Sequence, residues 1–378
     1  MLFYVCGFAV VICEYMMFKE SIKDIGKFVS HIGMVLTHLA GIVKFCLLTI
    51  GHGKILKLMH VLQNKDYQYC SLEDSKPGEV LRKGQTVNNV IAYSTFVMYT
   101  LVGITGHISS VRNLNEQIKG DNFEGTNKTC YDFLPYMFYI PIPSETKWQC
   151  EMVFNLMDIG FALHAFVIAA HDGIFAGLLI CLKSQLLIVC DVYKTIRQRS
   201  LKNMHLPENY TITNDMENPA LENEMYRLLV HSMEHLKILL WVRDELEYIF
   251  TMVVLTQTVA SLFILASNFY VASTILTASL EFFAKLEYTF CIFFQLSLIC
   301  WFGDDITRAS DLIKLSLYES DWLSSSPRFK HAMVLTMIRM QRPVFLSIGK
   351  FTPITLSTLV AVCRGSFSYF ALFKSIQK

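Results

Sequence analysis

Residues 249–272 read IFTMVVLTQTVASLFILASNFYVA, from Ile249 to Ala272, without a single Asp, Glu, Lys or Arg. A bilayer hydrocarbon core about 30 Å thick takes about 20 such residues as a helix. Inside lipid every backbone N–H and C=O has to be satisfied within the segment, which a helix does. Working outward, 28–50, 89–110, 152–181, 282–302 and 351–373 repeat the pattern. The run 1–18 is shorter and carries Glu14 inside it. Seven spans follow, and the fold class is an all-α membrane protein. Composition agrees: 53% of the residues are hydrophobic and 17% charged, with mean hydropathy +0.39, whereas an ordinary soluble domain carries about 25% charged residues.

The run at the N-terminus has neither a basic lead nor a small-residue cleavage site, so it reads as a span and not as a signal peptide. A formal net charge of +1 excludes the basic footprint of a nucleic-acid binder. The 11 cysteines are scattered, mostly through apolar runs, and form no CxxC pair, so neither a zinc site nor a disulfide framework is expected. No GxSxG elbow, HExxH, phosphate-binding loop or dinucleotide fingerprint occurs. No catalysis and no cofactor are expected.

Loops 51–88, 194–248 and 302–344 hold 19 Lys and Arg against 11 in 19–27, 111–150, 273–285 and 364–378. The richer side is cytoplasmic by the positive-inside rule, which puts the N-terminus inside and the C-terminus outside. Asn127-Lys128-Thr129 then lies outside, where it can be glycosylated. The second sequon, at Asn209, lies inside. Cys130 and Cys150 share the outer loop, where a disulfide can form; spacing alone leaves that pairing open.

The inner segments look helical. Met225, Leu229, Leu236, Leu239, Leu246 and Phe250 recur at near-heptad spacing with charges between them, so one helix should start in the cytoplasm and continue into the fifth span. The fourth span should likewise run through Leu186, Val189, Val192 and Ile196. Two amphipathic pieces are expected in 302–344: Ile306 to Tyr318, and a helix capped by Ser326 with Pro327 at its first position. Such faces have to pack on protein, within the chain or between chains.

Polar residues inside the spans are costly and usually face protein or water. The fourth span has Asp158, His164, His171 and Asp172, and the spacing puts Asp158, Ala165 and Asp172 on one face. A ligand path and an interhelical hydrogen-bond face both fit. Lys44 and Lys183 lie near the inner boundary, where they can snorkel. The outer halves of the spans are aromatic and uncharged at Phe28, Val35, Tyr99, Gly103, Phe154, Phe161 and Tyr288. Such a surface suits an apolar pocket, or equally lipid and core packing.

The C-terminal sixty residues carry a resemblance. They read Leu317-Tyr318-Glu319-Ser320-Asp321-Trp322, then Arg339-Met340-Gln341-Arg342-Pro343, then Ser347-Ile348-Gly349-Lys350-Phe351 with Pro353, and end on Arg364-Gly365-Ser366-Phe367-Ser368-Tyr369-Phe370. This is similar to the C-terminal signature of insect odorant receptors, with Arg364 in place of a common Lys and Phe367 in place of a common Tyr. Leu134-Pro135-Tyr136 followed by Pro141 resembles that family's outer loop, and His171-Asp172-Gly173 its fourth helix. The tail the family has before its first span is absent, so a shortened chain is expected.

The resemblance implies a ligand-selective subunit, not the coreceptor. The subunit would form a heterotetrameric, non-selective cation channel with an odorant coreceptor in the plasma membrane of an olfactory neuron dendrite. It implies transmembrane helices 1–6 over 1–303 with cytoplasmic extensions in 194–248, anchor helices including helix 7a over 304–350, and a pore-lining helix 7b over 351–378, hinged at Gly349 and Pro353. The pocket for a small volatile molecule would use Phe28, His31, Val35, Tyr99, Gly103, His107, Phe154, Asp158, Phe161 and Tyr288. The pore would use Tyr369, Leu372, Ser375 and Ile376; the last three share a face at i, i+3, i+4. Besides protein partners and odorant, the chain would contact membrane lipid. A gustatory-type channel, a transporter and a G-protein-coupled receptor are the alternatives. A transporter would need an internal repeat, and a G-protein-coupled receptor the opposite orientation.

Overall fold

The computed structural model describes residues 7–118, 123, 128–140, 142–207, 210, 217–275, 279–342 and 344–376. Asn127, Pro141, Asn209 and Pro343 lie outside the described residues. The elements in chain order are α1 (Phe8–Met16), α2 (Phe18–Ser21), α3 (Ile25–Ile50), α4 (His52–Leu62), α5 (Pro77–Gln117), α6 (Lys147–Lys194), α7 (Ile196–Asn203), α8 (Pro219–Thr274), α9 (Leu280–Tyr318), α10 (Pro327–Arg339), β1 (Ser347–Ile348), β2 (Thr352–Pro353) and α11 (Leu356–Ile376). Local chemistry sets the helix starts. Asp24 caps α3, its Oδ1 accepting from Gly26 N at 2.7 Å and Lys27 N at 3.1 Å. Pro77 and Pro219 open α5 and α8, where a missing N–H costs nothing. Ser279 caps α9, and Ser326 before Pro327 caps α10.

Among the described residues six helices are long and apolar enough to cross a membrane: α3, α5, α6, α8, α9 and α11. The expected first span, 1–18, falls partly outside the described residues. Its described part is α1, nine residues, or roughly 14 Å at 1.5 Å per residue.

The 56 residues of α8 make a rod of roughly 84 Å, far longer than the hydrocarbon is thick. It extends beyond the bilayer window, as do α6 and α9, towards one end of the molecule. There the three extensions pack with α4, α7 and α10; this is called the helical end below. Met225, Leu229, Leu236, Leu239, Leu246 and Phe250 are all buried in that bundle, against Tyr193, Ile313 and Phe329 among others. Two details differ from the sequence reading. Ile306 to Tyr318 is not a separate piece, because no proline lies between Trp301 and Tyr318 and α9 runs straight through it. Conversely α6 ends at Lys194, and Thr195 (φ −106°, ψ 20°) offsets α7 from it.

The guanidinium of α7's Arg199 is buried and pins the segment before α5. It donates to the Cys70 carbonyl and Ser75 hydroxyl, and pairs with Asp191 at 2.9 Å. Beside it His235, outside the apolar window of α8, lies under the Tyr67 ring at 4.4 Å, with the Tyr69 hydroxyl 3.2 Å from its Nδ1. Burial first, then the neighbouring His231, pulls its pKa down to about 4.

At the opposite end the segment 128–140 folds over α5 and α6. Cys130 and Cys150 are bonded there, with Cα atoms 5.6 Å apart, and Phe133, Tyr136 and Phe138 pack on Leu114, Val153 and Phe154. This is the loop end.

Between α10 and α11 the sequence reading places a hinge within one broken helix. The structure has a small hairpin instead, Ser347 opposite Pro353 and Ile348 opposite Thr352. Gly349 and Lys350 have φ of 59° and 66°, a left-handed turn that a right-handed helix cannot run through. Hence α11 begins at Leu356, beyond both Gly349 and Pro353.

Candidate functional site

Inside the bundle, between α3, α5, α6, α8 and α9, lies an enclosed chamber of about 30 Å³. Its walls are mixed: Val102, Ile168, Ile264 and Ile292 are apolar, while Thr37, His38, Tyr99, His164, Gln257, Tyr288 and Gln295 bring polar atoms. A second cavity, a cleft of about 510 Å³, opens between α5 and α6. Tyr99, Phe161 and Ala165 line both and so form the wall between them. The Phe161 ring fits where it does because residue 103 is glycine; a Cβ there would lie 3.1 Å from it.

The floor of the chamber is a polar network. Lys44 Nζ donates to Asp172 Oδ1 at 2.7 Å, and both side chains are buried. His171 Nδ1 meets the same oxygen at 3.0 Å. Tyr99 donates to Asp172 Oδ2 at 3.4 Å, as does the Gln295 amide, while Gln257 donates to Gln295 at 2.8 Å. One carboxylate thereby ties α3, α5, α6, α8 and α9 together, with its charge balanced by a single lysine. Lys44 therefore does not snorkel to the boundary; the interior carboxylate holds it. Lys183 is part-buried and paired with Asp305.

At the loop end of the chamber Thr37 and Tyr288 share a hydroxyl–hydroxyl bond. His38 Nδ1 meets Glu14 Oε1 at 2.7 Å with both side chains fully buried, and His31 Nε2 meets the Glu14 carbonyl at 3.1 Å.

The ten expected pocket residues divide. Tyr99, Phe161 and Tyr288 line the chamber. Gly103, His107 and Asp158 line the cleft, where His107 bonds Asp158. Phe28, His31, Val35 and Phe154 line neither. Phe28 stacks edge-on against Phe18, 5.7 Å between centroids; His31 is under α1; Phe154 is buried beneath the loop. Asp158 and Asp172 do not share a partner surface, since a straight helix drifts about 20° per seven residues. The fourteen-residue step turns one into the cleft and the other into the core.

The sequence reading left Glu14, Thr37, His38, Gln257 and Gln295 out of the pocket. Two signals were present. His31 and His38 lie seven apart on one face, and Glu14 interrupts an apolar run with no lysine or arginine within four residues, the reach of a helical ion pair.

On α11 one face meets α8. Ser366 donates to the Leu262 carbonyl at 3.0 Å, and Phe367 stacks on Phe269 at 4.9 Å. Tyr369, expected in the pore, packs on Phe263 at 5.0 Å. Leu372, Ser375 and Ile376 are exposed.

The profile of the family described as "7tm Odorant receptor" matches residues 24–367. The chain belongs to that odorant receptor family. Odorant receptor 85c of Drosophila melanogaster is 24% identical over 245 residues, 64% of this chain and 57% of that protein. Odorant receptor 2a of the same fly is 31% identical over 78 residues, 21% of this chain and 20% of the other. The alignment to 85c thus spans a little over half the length of that relative. In fold the receptor is similar to the insect olfactory receptor OR5 of Machilis hrabei solved in complex with eugenol, with TM-score 0.81 and 13% identity over 99% of this chain and 88% of that one. A second structure of the same Machilis hrabei receptor gives a TM-score of 0.79 at 13% identity, over 98% of this chain and 87% of that one. The receptor is a multi-pass helical membrane protein of a receptor family, not an enzyme.

Proposed function

We propose that this chain is the ligand-selective subunit of an odorant-gated, non-selective cation channel, assembled with a coreceptor as a heterotetramer in the plasma membrane of the sensory dendrite. Seven spans, an inside N-terminus and an outside C-terminus go with this reading. The loop end then faces out, with Asn127 open to glycosylation and Cys130–Cys150 in an oxidising medium, and the helical end forms the anchor layer. The observation that carries the proposal is α11, an apolar helix with Leu372, Ser375 and Ile376 left uncovered by its own chain. A ring of such residues from several subunits can close a pore by dewetting. The eugenol complex of the Machilis receptor supports a small volatile ligand.

The odorant would bind in the chamber, enlarged by turning Phe161 so that chamber and cleft become one space. Binding shifts the closed–open equilibrium only by its differential affinity for the two states.

The test is co-expression with the coreceptor and current recording across an odorant panel. Ligand-evoked cation current is expected, with altered basal current or ion selectivity in Leu372→Ala and Ile376→Ala. A surface-localised complex that stays silent, or that conducts without regard to ligand, would rule the proposal out.

A further inference from the structure

His38 lines the chamber, is fully buried, and its Nε2 has no hydrogen-bond partner among the described residues. What that nitrogen can do depends on where its proton sits, and Glu14 decides this.

The Glu14 carboxyl is fully buried. Its Oε1 meets His38 Nδ1, and its Oε2 has no partner among the described residues. Lys44, the lysine buried in this bundle, is engaged by Asp172. His31 bonds the Glu14 backbone carbonyl through Nε2, and its Nδ1 is buried without a partner among the described residues. A second proton on His31 would therefore have nowhere to donate. The carboxyl of Glu14 and the ring of His38 thus have to balance charge between themselves, since an uncompensated buried charge is among the costliest arrangements a protein can hold.

Two neutral arrangements leave no buried O–H without an acceptor. In the first, Glu14 is ionised and His38 is the imidazolium, with hydrogen on both nitrogens. In the second, Glu14 keeps its proton and donates it to Nδ1, so the ring's own hydrogen is on Nε2. Both give His38 an Nε2–H. A bare Nε2 requires either ionised Glu14 beside a neutral ring, which leaves a net negative charge in the core, or a proton on Glu14 Oε2, which leaves a buried O–H without an acceptor among the described residues.

The other polar side chains named around the chamber already have bonds: Thr37 with Tyr288, Gln257 with Gln295, and Gln295 and Tyr99 with Asp172; His164 donates from Nδ1 to the Gly160 carbonyl at 3.0 Å, so its Nε2 is an acceptor and offers no proton to a carbonyl oxygen. We infer that the chamber selects neutral oxygenated volatiles, ketones, aldehydes and esters, whose oxygen accepts a hydrogen bond from His38 Nε2–H while the hydrocarbon part occupies the space shared with the α5–α6 cleft. Glu14 is the positioning residue that keeps the proton on that nitrogen. A hydrocarbon of the same shape leaves the buried donor unmet, and sites built around a hydrogen bond reject analogues that lack it.

The inference rests on reading the chamber as the odorant site, and the test separates the two. The full-length chain is co-expressed with the coreceptor, and currents are recorded for pairs in which a C=CH2 group replaces C=O. Acetophenone is paired with α-methylstyrene, and 2-heptanone with 2-methyl-1-heptene. Ketones should act at concentrations about tenfold lower than their partners. In His38→Phe, with surface expression as the control for folding, the two members of a pair should come within about twofold of each other. Equal sensitivity within every pair in the unaltered receptor overturns the inference, whether or not the variant reaches the surface. An unchanged ketone preference in a surface-expressed His38→Phe overturns it as well. Currents without oxygen preference leave the channel reading standing; a surface-expressed complex silent to all probes brings both down.

Discussion

Two apolar helices of this chain live in opposite surroundings. In α6, 67% of the membrane-compatible window is buried within the chain; in α11 it is 17%. Helix α6 is the hub. It carries Asp172 into the core, shares the chamber wall through Phe161, and anchors the loop through Cys150. Helix α11 touches α8 along one face and leaves the other to whatever surrounds the chain. Apolar surface thus serves two ends: burial inside the fold for α6, and contact beyond it for α11. Their damage by mutation should differ accordingly.

The largest expected effect is at Asp172. Asp172→Ala strands Lys44 in the core, and breaking a buried pair in this way costs about 3–5 kcal/mol. Thermal unfolding in detergent should show it as a large fall in Tm, with most of the loss recovered when Lys44→Met is added. An unchanged Tm in the single variant would remove α6 from its place as hub.

A smaller effect is expected at the helical end. His235 takes up a proton less readily in the fold, near pH 4, than in the unfolded chain, near pH 6.5. The unfolded state therefore binds more protons between those values, and stability should fall as pH drops from about 6.5 towards 4. The limiting slope for one such group is about 1.4 kcal/mol per pH unit. Urea titrations at stepped pH should show the slope, and His235→Phe should flatten it; a slope that survives the substitution assigns it to other groups.

The smallest effect belongs to α11. Leu372→Ala and Ile376→Ala should shift the stability of the isolated chain by no more than about 0.5 kcal/mol, although both are large apolar residues. A drop of 2 kcal/mol or more would mean that α11 belongs to the same core as α6, and the comparison would fail.

Much of the architecture was legible because bilayer thickness and helical periodicity act on short windows. The fifth span and its extension were readable from Met225 to Phe250, since six apolar residues at near-heptad spacing admit one buried face. Ser326-Pro327 announced α10 by its cap chemistry. The hairpin at 347–353 was not readable, because Gly349 fits a helix break as well as a turn, and only the conformation of Lys350 distinguishes them. Of the ten residues expected in a pocket, Tyr99, Phe161 and Tyr288 line the chamber and Gly103, His107 and Asp158 the cleft. Tyr99, Phe161 and Tyr288 stood out as aromatics in outer half-spans, whereas Phe28 and Phe154 looked the same, but Phe28 packs on Phe18 of α2 and Phe154 lies beneath the loop. Lys44 was misplaced because hydropathy records depth but not partners, and its partner lies 128 residues away.

That distance has a consequence in time. A ribosome adding about 5–20 residues per second delivers Lys44 to the translocon roughly 6–26 seconds before Asp172 exists. Over that interval α3 holds an unpaired lysine six residues from its C-terminal end, a charge that is costly in lipid. The carboxylate that later organises the chamber is thus also what ends the wait, and losing it would be felt first as failed biogenesis.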